Sequence, residues 1–194
     1  MDKIFDGRVL LVKGYLSPEE TSELKQWAML SQGSQFVDGI SRNSNGEFVR
    51  VQNRLTNRIS DNISYPELVY KIQSRIRKDF GLDNAGLITG HGKDGVVVSI
   101  TNEGGDVHKH RDPNQNPILS CLRLNILASK SDEGGIIHVE DKTYNPEAGD
   151  LMAYLVSDYE HWVETCYGKS PRIQFMFGFM VNRNEWESNN QKVQ

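Results

Sequence analysis

Cysteine is scarce. Cys121 and Cys166 are the two in 194 residues, too few for a disulfide framework in a chain of this length. Both stand in apolar runs that read as strands, where a free thiol behaves as a small buried hydrophobe. No apolar run approaches the length of a membrane-spanning helix. From Met1 to Asp6 the chain carries acid where a secretory signal needs base followed by a long apolar stretch, so the expected location is the cytoplasm. Positive charge is not in excess. The formal net charge of -4 argues against duplex nucleic acid as a partner, because such binders present a basic face. A His-Glu-x-x-His helix, the usual start of a zinc hydrolase site, does not occur. Repeats, low-complexity linkers and a domain boundary are also missing. Residues 1–194 therefore read as one domain, large enough to bury its own core. Nothing in the sequence sets the oligomeric state.

What is present divides into two halves. Val9-Leu10-Leu11-Val12 reads as a strand ending at Gly14. Ser17-Pro18-Glu19-Glu20 predicts a helix start, with Ser17 as cap, Pro18 in the first turn and Glu20 completing a capping box. Leu24, Trp27, Ala28 and Leu30 follow at roughly helical spacing, with an end expected near Gly33. The polar stretch that follows centres on Asn45-Gly46, a tight-turn signal. Phe36-Val37 before it and Phe48-Val49 after it make a two-stranded finger the best reading. Tyr65-Pro66-Glu67 opens a second helix, in which Leu68, Ile72, Ile76 and Phe80 recur every four residues before Gly81. His91, between two glycines, reads as loop. From Gly86 onward short apolar runs alternate with turn residues: Val96 to Val98, Leu122 to Leu127, Ile136 to Val139, Leu151 to Val156 and Ile173 to Val181. That pattern predicts a β sandwich or barrel. The tail after Trp186 reads as frayed.

The chemistry-bearing residues sit in the second half. His108-Lys109-His110-Arg111-Asp112 is followed by His161, 49 positions after Asp112, and then by Arg172 with ten residues between. On an extended strand, positions i and i+2 share a face, so His110 and Asp112 can reach one ion. A histidine from a neighbouring strand completes two imidazoles and a carboxylate, the facial triad of non-haem iron(II) oxygenases, which leaves three positions open. His108 shares that strand face and leaves a three-histidine arrangement open. A His108–Asp112 bite, however, would span about 13 Å of extended chain. Ten residues after His161 allow a turn and a return strand, which would put Arg172 deeper in the barrel beside the histidine. There its planar fork suits a carboxylate. His138 reads as a partly buried structural histidine, Trp162 as packing on the outer face, and Arg111 as pointing away from the metal.

On these residues the chain resembles the iron(II)/2-oxoglutarate dioxygenases, and prolyl-hydroxylase-type members in particular. The resemblance runs from Asp106 to Val181. It takes in Gly134-Gly135 before an apolar strand, Pro146-Glu147-Ala148-Gly149-Asp150-Leu151 as the turn before a core strand, and His161-Trp162-Val163-Glu164 with Arg172 beyond it. The opening Tyr15-Leu16-Ser17-Pro18-Glu19-Glu20 is similar too. The resemblance implies a mostly β fold with N-terminal helices, an α+β chain built on a double-stranded β-helix of jelly-roll, cupin-like form. Residues 86–182 would be the catalytic core and 1–85 helical support; within the latter, the Asn45-Gly46 turn and the lack of core-forming periodicity from Phe36 to Val49 predict a mobile finger folding over the mouth as a lid. The resemblance implies Fe(II) held by His110, Asp112 and His161, 2-oxoglutarate held by Arg172, O₂ as oxidant, and ascorbate as an optional reductant.

The chain departs from the family in one place. Where many members carry Arg-x-Ser, it has Arg172-Ile173-Gln174, so the second carboxylate partner must come from another strand; Tyr154, Asn125 and Arg123 are the candidates. The arginines that follow the first one in nucleic-acid demethylases are absent. Asp112 stands where halogenating relatives carry a small residue. The implied reaction is hydroxylation of a C–H bond, in a prolyl-type peptide or in a free amino acid or small metabolite. The competing reading is a cupin-like module that uses the same ligands for Zn²⁺ or Mn²⁺ without oxygen chemistry.

Overall fold

The computed structural model describes residues 2–42, 48–57, 63–88 and 94–191. The Asn45-Gly46 turn, His91 and the last three residues lie outside that set. Strands β1 (Asp2–Phe5) and β2 (Leu10–Lys13) form a hairpin and lead into helix α1 (Pro18–Gln35). The Ser17 side chain accepts from the Glu20 N–H while Glu20 accepts from the Ser17 N–H, so the predicted capping box is present. Such a cap stabilises a helix by about 1 kcal/mol. Strands β3 (Val37–Arg42) and β4 (Phe48–Thr56) pair antiparallel, as the finger requires. Helix α2 (Glu67–Asp79) begins after Pro66 and buries Val69, Ile72 and Ile76. Val69, rather than Leu68, leads its buried stripe.

The β-rich half then alternates between two sheets. Strands β5 (Gly86–Leu87) and β6 (Val96–Thr101) belong to the larger sheet and β7 (Val107–His110) to the smaller. Strand β8 (Ser120–Ser129) returns to the larger sheet. Strand β9 (Glu133–Gly134) precedes β10 (Ile137–Val139) and β11 (Lys142–Tyr144) of the smaller one. Strand β12 (Leu151–Leu155) is in the larger sheet and β13 (His161–Val163) in the smaller. Strand β14 (Cys166–Tyr167) pairs with β9, and β15 (Arg172–Val181) completes the larger sheet. The larger sheet runs β1-β2-β12-β8-β15-β6-β4-β3, with β5 on β15; the smaller runs β11-β10-β13-β7. Antiparallel strands exchanged between two facing sheets are the predicted double-stranded β-helix.

Strands β8 and β15 are buried almost throughout because each face meets a different core. Leu122, Leu124, Ile126, Phe175, Phe177 and Phe179 alternate onto the helix side, where Trp27 of α1 lies 5.8 Å from the Phe175 ring. The intervening residues face the space between the sheets. Directly opposed residues in an antiparallel ladder share a face. The pairings Tyr154–Arg123, Met152–Asn125, Asn125–Met176 and Arg172–Thr101 therefore define one inner face, on which polar side chains stand among methionines.

Three expectations change. The tail is not frayed: Arg183–Gln191 forms helix α3 with Trp186 and Asn190 buried, and Trp186 packs 6.4 Å from the Phe80 ring. Its single apolar anchor is too sparse to register as a periodicity. The finger is not independent of the core, because β4 is bonded into the larger sheet through Arg54–Thr101 and Thr56–Ser99. Nor does Arg172 share a sheet with His161: the chain crosses from the smaller to the larger sheet between β13 and β15, so the two stand on different sheets. Cys121 and Cys166 are free and buried, as expected. Among the described residues no helix is long and apolar enough to cross a membrane.

Candidate active site

His110 closes β7 and His161 opens β13, and the two are directly paired across the ladder. Their ring centroids are 4.4 Å apart. Asp112 lies just beyond β7, tied by its N–H to the Val156 carbonyl at 2.9 Å. One ligand atom from each of His110, Asp112 and His161 falls within 4.8 Å of the others, a span that one ion with ligands at about 2.1 Å closes with small side-chain rotations.

The ring orientations suit a metal. His161 Nδ1 faces the Tyr159 carbonyl at 3.1 Å, and His110 Nδ1 faces the His108 carbonyl at 2.6 Å. A carbonyl accepts, so each Nδ1 carries the proton and each Nε2 keeps its lone pair. Burial, with His110 nearby, pushes the His161 imidazole down to about 3, so it is neutral at physiological pH. Burial by itself raises the Asp112 carboxyl. The Arg123 charge overcomes that and holds it well below the usual carboxylate range, so Asp112 is anionic.

The two-residue periodicity fails at His108. Between the two ladder pairs Val107–Val163 and His110–His161, β7 holds one residue more than β13. This bulge turns His108 out of the face occupied by His110. His108 is exposed, 3.6 Å from Asp106, and lines an open outer cleft of about 420 Å³ with Lys109, Glu164 and Tyr167. The metal cluster does not include it. His138 and Trp162 are stacked at 4.4 Å on the outer face, with Glu164 holding His138 at 2.7 Å. Arg111 points to Glu140 at 3.2 Å, away from the cluster.

Deeper between the sheets lies Arg172, 4% exposed. Burial pulls its guanidinium below the ordinary arginine value, against the opposing influence of Cys166 and Tyr154. Its Nη2 is buried with no hydrogen-bond partner, and so is Asn125 Oδ1. Leaving a buried charged donor unpaired costs at least about 1–3 kcal/mol, so this nitrogen is poised for an acceptor that the polypeptide does not supply. Tyr154, edge-on to His161 at 5.4 Å, is pushed up to about 12 by burial and stays a phenol donor. Gly134-Gly135 makes room beside this pocket. A Cβ at Gly135, where φ is +66°, would lie 2.6 Å from Ser131 Oγ and 3.2 Å from Arg172 Cδ.

Arg123 sits differently from its expected place as a cosubstrate partner. Its Nη2 is 2.5 Å from Asp112 Oδ2, so it serves the metal end of the site. What the sequence did not signal are the carbonyls of His108 and Tyr159, because any residue type supplies a carbonyl.

No protein-family model matches the chain, and neither does any curated protein. Solved structures do. A prolyl hydroxylase from Trichoplax adhaerens, in complex with a hypoxia inducible factor oxygen degradation domain peptide, superimposes with a TM-score of 0.67 at 16% identity, over 95% of this chain and 87% of that one. A collagen prolyl hydroxylase of Paramecium Bursaria Chlorella virus-1, in its 2-oxoglutarate complex, gives 0.62 at 16% identity over 90% and 96%. HygX from Streptomyces hygroscopicus, with nickel and 2-oxoglutarate bound, gives 0.64 at 9% identity over 91% and 84%. The chain therefore shares the fold of these solved structures, prolyl hydroxylases among them.

Proposed function

We propose that this chain is a non-haem iron(II), 2-oxoglutarate-dependent dioxygenase that hydroxylates a C–H bond of a peptidyl residue of the prolyl type, a free amino acid or small metabolite being the alternative substrate. The observation that carries the reading is the pairing of two features on facing sheets. His110, Asp112 and His161 come together at the smaller sheet, and the partnerless Arg172 nitrogen is buried on the larger one. A metal-binding module without oxygen chemistry gives Arg172 nothing to hold.

His110, Asp112 and His161 would hold iron(II), and bound there with 2-oxoglutarate and O₂ it supplies the oxidising chemistry. The balance is substrate C–H, 2-oxoglutarate and O₂ giving C–OH, succinate and CO₂. The protein's share is placement. Arg172 takes the distal carboxylate of the cosubstrate, and the Tyr154 hydroxyl and Asn125 side chain provide the polar partners that Gln174 of the Arg-Ile-Gln run leaves open. The walls of β8, β12 and β15 exclude water. All 194 residues act as one domain, in which residues 86–182 are the catalytic core and 1–85 the support. Strand β3, which packs near β7, belongs to the lid. Free buried thiols at Cys121 and Cys166 suit a reducing cytoplasm.

The test is succinate release with iron(II), 2-oxoglutarate and ascorbate, screened over proline-containing peptides and free amino acids. Substrate-dependent succinate, together with a visible charge-transfer band formed anaerobically by the iron and 2-oxoglutarate complex, is expected. Failure to form that band with fully loaded protein would refute the assignment.

A further inference from the structure

We infer that Arg123 is a positioning residue of the metal centre, a clamp that leaves Asp112 one carboxylate oxygen facing the two imidazoles. The inference rests on the metal-centre reading above. Arg123 Nη2 lies 2.5 Å from Asp112 Oδ2, while Asp112 Oδ1 lies 3.3 Å from His110 Nε2. The carboxylate is thus divided, one oxygen to the guanidinium and one to the cluster. Both side chains are nearly enclosed, at 11% and 10% exposure, so solvent cannot compete for the pair.

The two partners differ in rigidity. Asp112 stands outside any strand, in the segment that follows β7. Arg123 stands inside β8, paired to β12 on one side and β15 on the other. A ligand on an irregular segment needs an external reference to hold one rotamer. A planar guanidinium on a central strand is such a reference, because its donors have fixed directions. The residue opposite Arg123 on β15 is Gly178, which has no side chain to stand between the arginine and the cluster. The second guanidinium nitrogen, Nη1, packs 3.9 Å from Met176 Sδ.

The same register separates Arg123 from the cosubstrate's far end. Gly178 is six positions along β15 from Arg172, roughly 20 Å of extended chain. The two arginines therefore serve opposite ends of the pocket: Arg172 the distal carboxylate, Arg123 the Asp112 ligand.

Cobalt(II) titration of the wild type, Arg123→Met and Arg123→Lys, followed by calorimetry and visible absorption without 2-oxoglutarate, tests this. Arg123→Met should weaken cobalt(II) binding about ten- to hundred-fold, the usual effect of losing the partner that orients a ligand, and should change the shape of the cobalt bands. Arg123→Lys, which keeps a cation in reach but loses the fixed donor directions, should recover only part of the affinity and leave the cobalt bands altered. On cobalt-loaded proteins 2-oxoglutarate affinity should move less than about threefold. If Arg123→Met does not fold, Arg123→Gln carries the same expectation. Wild-type or tighter cobalt binding in Arg123→Met would overturn the clamp, as would equal losses in the Met and Lys variants. Failure of the wild type to bind cobalt(II) would instead bring down the metal-centre reading itself, and the clamp with it.

Discussion

Replacing Arg172 by Met separates a ligand's anchor from a structural residue, because the two roles move stability in opposite directions. Arg172 is 4% exposed and its guanidinium Nη2 has no partner. In the ligand-free protein that unpaired donor costs about 1–3 kcal/mol, and methionine of similar length removes the cost while filling most of the space. Ligand-free Arg172→Met should therefore be as stable as the wild type, or more stable by up to that amount. For a domain of this size each kcal/mol shifts Tm by about 2–4 °C. Cosubstrate binding should respond the other way. Losing one partner of a buried, charge-assisted pair costs about 2–5 kcal/mol, which is about 30-fold to several thousand-fold in Kd. The assay is calorimetric titration of 2-oxoglutarate into manganese-loaded protein, paired with thermal unfolding with and without the ligand. The wild type should gain Tm with 2-oxoglutarate through linkage, and the variant should not. Unchanged 2-oxoglutarate affinity would refute the anchor. A large stability loss in the ligand-free variant would show that Arg172 has a structural partner.

His110→Ala, Asp112→Ala and His161→Ala should each abolish tight metal binding, whereas His108→Ala, on the far side of the β7 bulge, should keep it; metal stoichiometry of the purified variants decides. Trp186→Ala should cost about 3–5 kcal/mol by denaturant unfolding. Trp186→Phe should cost far less, since the ring stays and the buried Nε1 it removes has no partner; equal stability of wild type and Ala would mean that α3 does not dock. Asp150 accepts from Lys13 Nζ at 2.7 Å and from the Gly14 and Glu147 N–H groups at 2.9 Å each. Burial raises its carboxyl, but these partners more than offset that and hold it below the ordinary 3.8. Its contribution is therefore fully present above about pH 3.8 and is lost as pH falls through the lower folded value. Asp150→Asn should cost about 1–3 kcal/mol near neutrality, and the gap from the wild type should close on acidification; a pH-independent gap would contradict this.

The sequence by itself determined the elements whose signals are local. Ser17, Pro18 and Glu20 specify the start of α1 within four residues. Ile72 and Ile76 specify a helical face, and alternating apolar runs after Gly86 specify strands. The candidate site was legible for a related reason: histidine, aspartate and arginine are rare enough in apolar strands that their order along the chain carries information. Even the Pro146–Leu151 run was legible as a turn, and the structure shows why, since Asp150 latches it to Lys13 and Gly14.

Tertiary structure decided everything that depends on which strands meet. A two-residue repeat placed His108 and His110 on one face, and an extra residue in β7, set by pairing with β13, separated them. Counting from His161 placed Arg172 on the adjacent strand, but the crossing between sheets put it on the facing one. Arg123 was one of three candidates for a carboxylate, and the fold chose Asp112 for it. Helix α3 forms because Trp186 finds Phe80, 106 positions earlier in the chain. Local propensity acts over a few residues, whereas register, sheet exchange and charge pairing join groups far apart in sequence, and those long-range contacts place the donors of this site around one point.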